Sequence, residues 1–152
     1  MKLCLDANVL IEVLRRRQPV LGRWQEAVGL ASPLVLSSLV LHELEAGADL
    51  SARPAIHRVR LHELLAFADI VEFDADDARA AGRVRASLQR SGRPIGPVDT
   101  LIAGQALARG WTMVTQNVRH FGRVDGLAII DWAAGHDPLS AEAVEARVRE
   151  SD

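Results

Sequence analysis

Lys2-Leu3-Cys4-Leu5-Asp6-Ala7-Asn8-Val9-Leu10 opens the chain with a short apolar run that ends on an acid. The run reads as a central buried strand, and Val9, Leu10, Val13 and Leu14 keep the spacing of a helix. Asp6 therefore falls at a strand-to-helix junction. In open α/β sheets ligands bind at the carboxyl ends of strands, and the following helix N-terminus favours an ionised carboxylate. Taken alone, Asp6 reads first as a helix cap. Its weight comes from three later stretches that repeat the arrangement.

Working outward, the first helix runs to Arg15-Arg16-Arg17, a cluster that reads as a solvated helix end, with phosphate contact as its other use. Val20 to Leu30 forms a second helical stretch, with Leu21, Trp24 and Val28 at core spacing. Pro33 to Ser37 is a second short strand, and Ser37 or Ser38 is placed to cap a helix through Leu39-Val40-Leu41-His42-Glu43-Leu44-Glu45-Ala46-Gly47. Glu43 lies inside an apolar run and is costly to bury without a charged partner or a metal. Glu45 points to another face and belongs in solvent.

Pro54 to Ala68 continues as a helix with Ile56, Val59, Leu64 and Phe67 facing inward and His57, Arg58 and His62 outward. Ile70 to Phe73 makes a third strand. Asp74 then caps a long helix whose first turn holds Asp76 and Asp77, a cluster explained by capping rather than catalysis. In that helix Ala81, Val84 and Leu88 form the inward stripe, and Arg79, Arg83 and Arg90 share another face. The turn-rich run Ser91-Gly92-Arg93-Pro94-Ile95-Gly96-Pro97 leads to a helix with Asp99 in its first turn. Gly104 within that helix costs about 1 kcal/mol against alanine, which implies tight packing, expected against the sheet. Trp111 to Thr115 is a fourth strand, ending in a loop at Thr115-Gln116-Asn117, and Leu127 to Asp131 is a short fifth. Alternating strands and helices imply a mainly parallel, about five-stranded sheet covered on both faces. Residues 1–131 are expected to form one domain and residues 132–152 a polar tail with a weak, loosely attached helix over Ala141 to Arg149.

Composition narrows the classes of function. At 152 residues the chain can bury a substantial core within one domain. No apolar run approaches the ~18 residues of a membrane span, and no basic, apolar leader precedes the first strand, so a cytoplasmic location is expected. Cys4 is the single cysteine and reads as a small buried hydrophobe, not a nucleophile. The net charge of −2 argues neither for nor against nucleic acid, although every cation except Lys2 is arginine, whose donor fork suits phosphate.

Asp6, Glu43, Asp99 and Asn117 each lie at the end of a strand or near the start of the helix after one, and on a parallel sheet those ends share one edge. Carboxylates that close cannot all stay ionised without a cation. An all-oxygen set selects a hard ion such as Mg²⁺ or Mn²⁺, which activates water and stabilises charge on a phosphodiester.

Four stretches carry a family resemblance: Leu5-Asp6-Ala7-Asn8-Val9-Leu10, His42-Glu43-Leu44-Glu45-Ala46-Gly47, Gly92-Arg93-Pro94-Ile95-Gly96-Pro97-Val98-Asp99-Thr100-Leu101-Ile102-Ala103 and Thr115-Gln116-Asn117-Val118-Arg119-His120-Phe121. Together, in order over residues 1–131, they resemble PIN-domain ribonucleases, most closely the VapC toxins. The resemblance implies a three-layer α/β/α sandwich and Mg²⁺-dependent cleavage of single-stranded or structured RNA, with Mn²⁺ as a substitute. It makes Asp6, Glu43 and Asp99 the acids around the metal. Asn117 takes a fourth position where many relatives carry aspartate, which puts a second metal in question. A small antitoxin partner and a homodimer are implied in the same way.

Other classes fit less well. A phospho-accepting receiver domain needs a late lysine and an acidic pair after the first strand, whereas Lys2 is the lone lysine and Asp6 has no acidic neighbour. A haloacid-dehalogenase-type phosphatase needs an aspartate where Asn8 stands. A catalytically silent PIN-like binding module has no need of the intact acidic set, and a PIN ribonuclease of RNA processing outside any toxin system is the nearest alternative.

Overall fold

The computed structural model describes residues 1–152. Five short strands form one sheet: β1 (Leu3–Leu5), β2 (Leu34–Ser37), β3 (Asp69–Val71), β4 (Thr112–Val114) and β5 (Ile129–Ile130). Their order is β3-β2-β1-β4-β5, and every neighbouring pair is parallel. β1 is therefore central, with Cys4 opposite Val35 on one side and Met113 on the other. Strands covered on both faces need apolar residues at every position, not alternation. Leu3, Cys4 and Leu5, like Leu34, Val35 and Leu36, are all buried. Removing one such leucine side chain from water stabilises the fold by roughly 1.5–3 kcal/mol.

Eight helices cover the sheet: α1 (Ala7–Leu14), α2 (Val20–Gly29), α3 (Ser38–Leu50), α4 (Pro54–Leu65), α5 (Ala75–Arg90), α6 (Pro97–Arg109), α7 (Val118–Phe121) and α8 (Ala141–Arg149). The chain steps outward from β1 to β2 to β3 and then returns through the α5–α6 pair to place β4 on the other side of β1. That reversal opens a crevice at the carboxyl ends of β1 and β4, the topological switch point where such sheets bind ligands. The architecture is the expected α/β sandwich. None of its helices is long and apolar enough to cross a membrane.

Several local expectations need correction. On α4, Leu61, Leu64 and Leu65 are buried, whereas Ile56, Val59 and Phe67 are about half exposed. The contacting face is rotated from the one the apolar pattern suggested, and Phe67 lies beyond the helix end with its ring edge-on to Trp24. Gly104 packs against another helix: a Cβ there would stand 2.3 Å from Ala81 Cα in α5. The third strand begins one residue early and stops at Val71, because as an edge strand it has only β2 to pair with. The loop at Thr115-Gln116-Asn117 is as expected, and Val118 to Phe121 then turns into α7 with Val118 and Phe121 buried.

The last helix is docked, not loose. Gly122 accommodates Val144 and Val148 so closely that a Cβ would meet their side chains at 2.7 and 2.9 Å, and Val148 is buried. Arg147 reaches Asp131 at 3.3 Å, and Arg93 holds Asp152 at 2.6 Å. The polar composition of the tail concealed the single apolar stripe that binds it.

The acidic start of α5 is a cap, as its sequence suggested. Asp74 and Asp77 form a reciprocal capping box, each side chain accepting from the other's backbone N–H at 2.9 Å. Asp77 is almost fully buried and takes two hydrogen bonds from Arg109, Nε to Oδ1 at 3.0 Å and Nη2 to Oδ2 at 2.8 Å. Burial works against its charge, yet the Arg109 guanidinium holds the carboxyl below the usual carboxylate range.

Candidate active site

Asp6 is positioned by the sheet itself. Its N–H donates to Val114 O at 3.0 Å, continuing the β1–β4 ladder one residue past the strand, and its φ of −78° and ψ of 154° make it the N-cap of α1. Oδ1 accepts from the Ala7 N–H at 2.8 Å, and Oδ2 accepts from the Thr115 hydroxyl at 2.8 Å. Capping and site-building are thus the same act, and the cap reading of Asp6 is correct without being complete.

Thr115 joins the two strand ends. While its hydroxyl donates to Asp6, the same oxygen accepts from the Asn117 N–H at 3.0 Å. Thr115 is fully buried and went unnoticed as a site residue. Its signal was its place, as the first residue after the strand adjacent to β1.

Asp99 arrives by a different route. Helix α6 follows α5, not a strand, and it then turns at Gly110, whose φ of 66° suits glycine, into β4. A crossover helix runs opposite to the strand it feeds, so the start of α6 stands over the end of β4. Pro97, the first residue of the helix, fixes that start and puts Asp99 third, within the first turn. Glu43 comes from the second turn of α3, after the Ser37 side chain caps that helix by accepting from the Leu39 N–H at 3.1 Å.

Electrostatics shows that these acids meet. Burial pushes the Asp6 carboxyl up, the Thr115 hydrogen bond opposes that rise, and the charge of Asp99 adds to it. Glu43 is likewise raised, by burial first and then by Asp6 and Asp99, with His42 opposing. Burial also pushes the neighbouring Cys4 thiol up to about 12, with the Asp6 charge adding, which removes it as a nucleophile. Glu45 stands apart, half-exposed and paired with Arg58 at 3.1 Å and His62 at 3.3 Å.

No three acidic, histidine or cysteine side chains stand close enough to grip one ion directly. The set is an open cluster, not a closed cage. The donor chemistry, carboxylate oxygens without thiolate, suits a small hard cation such as Mg²⁺, which keeps several waters and takes only one or two carboxylates directly.

Residues 3–127 match the model of the PIN domain. The chain belongs to the PIN-domain family. The tRNA(fMet)-specific endonuclease VapC of Shigella flexneri is 37% identical to it over 134 residues, spanning 88% of this chain and 99% of that protein. Among solved structures, DNA-bound VapBC from Salmonella typhimurium matches with a TM-score of 0.79 at 33% identity, covering 87% of this chain and 98% of the matched one. VapBC2 from Rickettsia felis, bound to a DNA fragment from its promoter, matches with a TM-score of 0.80 at 27% identity, over 87% and 99%.

Within this PIN domain the four residues singled out by sequence all reach the crevice region, but not on equal terms. Asp6, Glu43 and Asp99 are coupled by charge. Asn117 is tied to Asp99, its Nδ2 standing 3.3 Å from Asp99 Oδ2. The same Nδ2 lies 3.0 Å from His120 Nδ1, so a histidine that sequence had set aside belongs to the cluster. Its position three residues after Asn117, one helical turn along α7, was the available signal.

A cavity of about 630 Å³ opens beside Glu43. Arg15, Arg16, His57 and Arg60 stand in its wall, with Leu14 and Leu50 supplying apolar surface. Two of the three arginines at the end of α1 therefore share a cavity with Glu43, which neither Asp6 nor Asp99 lines, while Arg17 turns back to Glu12 at 3.0 Å. His57, expected on a plain surface, shares that wall.

Proposed function

We propose that this chain is a metal-dependent endoribonuclease, the toxin of a VapBC-type pair, working in the cytoplasm as a homodimer restrained by a small antitoxin protein. The observation that carries the reading is the chain of contacts at the sheet's switch point that links Asp6 through Thr115 and Asn117 to Asp99, with Glu43 near enough for both charges to raise its carboxyl. Three acids gathered there, with Asp6 and Glu43 held above the ordinary carboxylate range, form a site that gains from a divalent cation. The relatives named as VapC endonucleases, and the VapBC assemblies that share the fold, support the same conclusion.

Asp6, Glu43 and Asp99 would hold Mg²⁺, or Mn²⁺ in its place, through waters and one or two direct oxygens. When bound, such an ion supplies an activated water and offsets charge building on the phosphate. Hydrolysis would add the elements of water across one P–O bond, hydroxyl to phosphorus and proton to the departing oxygen. The chain's own part is positioning. Thr115 and the Ala7 N–H fix both oxygens of Asp6, Asn117 holds Asp99, and Arg15, Arg16 and Arg60 offer donors to backbone phosphates along the adjoining cavity.

The test is cleavage of labelled single-stranded RNA by the purified protein in Mg²⁺ or Mn²⁺, with and without EDTA. Cleavage is expected to stop on chelation. Asp6→Asn and Asp99→Asn should each slow it by about a hundredfold or more, the several kcal/mol that such charge stabilisation supplies, while the fold persists. Undiminished cutting in EDTA would overturn the metal mechanism.

A further inference from the structure

His120 is held beside the acidic edge in a defined orientation. It shares a face of α7 with Asn117, while the buried Val118 and Phe121 anchor the helix. Asn117 Nδ2 approaches both Asp99 Oδ2, at 3.3 Å, and His120 Nδ1, at 3.0 Å. An amide nitrogen carries two protons and accepts none, so one serves the carboxylate and the other serves Nδ1. This amide orientation is assigned from the hydrogen-bond pattern, since the reverse would set an amide oxygen against an Asp99 oxygen.

Nδ1 also stands 3.4 Å from Asp99 Oδ2, but the shorter contact, with the Asn117 N–H at 3.0 Å, makes it the acceptor and places the ring proton of the neutral imidazole on Nε2. Nε2 lies on the opposite side of the ring and makes no hydrogen bond within the protein. The side chain is 42% exposed. A single N–H donor is thus locked in direction, with no protein acceptor, on the rim of a site otherwise lined by carboxylates. Carboxylates repel a phosphodiester, so a donor on this rim adds, on the Asp99 side, to those that the arginines offer beside Glu43.

We propose that His120 is a substrate-contacting residue, whose Nε2–H donates to a non-bridging phosphate oxygen of the RNA strand lying across the acidic edge. Asn117 acts on it as a positioning residue by fixing the tautomer. The proposal rests on the nuclease reading above, and it names a contact which that reading does not require.

The experiment measures kcat and KM for a fluorogenic single-stranded RNA with wild type, His120→Ala, His120→Gln and His120→Asn, each checked for an unchanged melting temperature. Glutamine can place an N–H where Nε2 stands, whereas the shorter asparagine amide reaches only the position of Nδ1. The alanine and asparagine variants should raise KM about tenfold, the usual scale for losing a hydrogen bond to a charged group, with kcat little changed. The glutamine variant should stay near wild type. A role limited to propping Asn117 gives the opposite pattern, with asparagine rescuing and glutamine failing, and would overturn the proposal. Cleavage by the wild type with an unaltered KM in His120→Ala would overturn it alone. A wild type that cleaves no RNA would remove the nuclease reading and this contact together.

Discussion

Gly104→Ala and Gly82→Ala should move stability in opposite directions, although both glycines lie inside helices. At Gly104 an added Cβ would stand 2.3 Å from Ala81 Cα, 2.5 Å from Ala81 N and 2.6 Å from Ala81 Cβ. Carbon atoms in contact prefer about 3.5–4.0 Å, so α5 and α6 would have to separate by more than an ångström. The obstructing atoms belong to backbone and to a Cβ, and no rotamer change relieves them. Overpacking of this kind costs about 1–3 kcal/mol, and a backbone clash belongs at the upper end. The gain in helix propensity returns about 1 kcal/mol, leaving a net loss of about 2 kcal/mol. Gly82, one residue after Ala81 on α5, is exposed and has nothing within 4 Å of its Cβ position. Only the propensity gain of about 1 kcal/mol applies there.

For a chain of this length the unfolding entropy is about 0.3 kcal/mol/K, so Tm should fall about 6 °C for Gly104→Ala and rise about 3 °C for Gly82→Ala. Thermal melts followed by circular dichroism, with urea titrations to confirm an unchanged m-value, measure both. Because α6 delivers Asp99, RNA cleavage should fall in Gly104→Ala and not in Gly82→Ala. A Tm for Gly104→Ala at or above that of wild type would refute the packing argument.

Asn117→Asp should tighten Mg²⁺ or Mn²⁺ binding, because it adds a charge beside Asp99, and Asn117→Ala should reduce cleavage less than Asp99→Asn does. Metal titrations read beside cleavage rates check this, and equal damage from Asn117→Ala and Asp99→Asn, with metal affinity lost in parallel, would contradict it. Arg109→Leu should destabilise by about 3 kcal/mol, because it leaves the buried Asp77 carboxylate without its partner, whereas the exposed pair of Arg79 and Asp76 should contribute less than about 1 kcal/mol. Urea denaturation of Arg109→Leu and Asp76→Ala compares the two, and similar losses would show that burial of Asp77 is not what matters.

By itself the sequence determined the alternation of strands and helices, the buried nature of the first two strands, and the acid at the end of the first. Each of these rests on local chemistry: an unbroken apolar run, a capping serine or aspartate, a proline at a helix start. It also made Glu43 conspicuous, since a glutamate among leucines needs a partner wherever the helix packs. The tertiary structure alone decided which strand ends become neighbours. The β3-β2-β1-β4-β5 order sets Thr115 against Asp6 across 109 residues of chain, and no local pattern encodes that pairing. It also decided which face of α4 is inward, that Gly104 answers to Ala81 and not to the sheet, and that the polar tail docks through Val144 and Val148. His120 belongs to the same class. A histidine's role depends on what faces its two ring nitrogens, and those groups, Asn117 and Asp99, come together only when α6 and α7 pack at one edge.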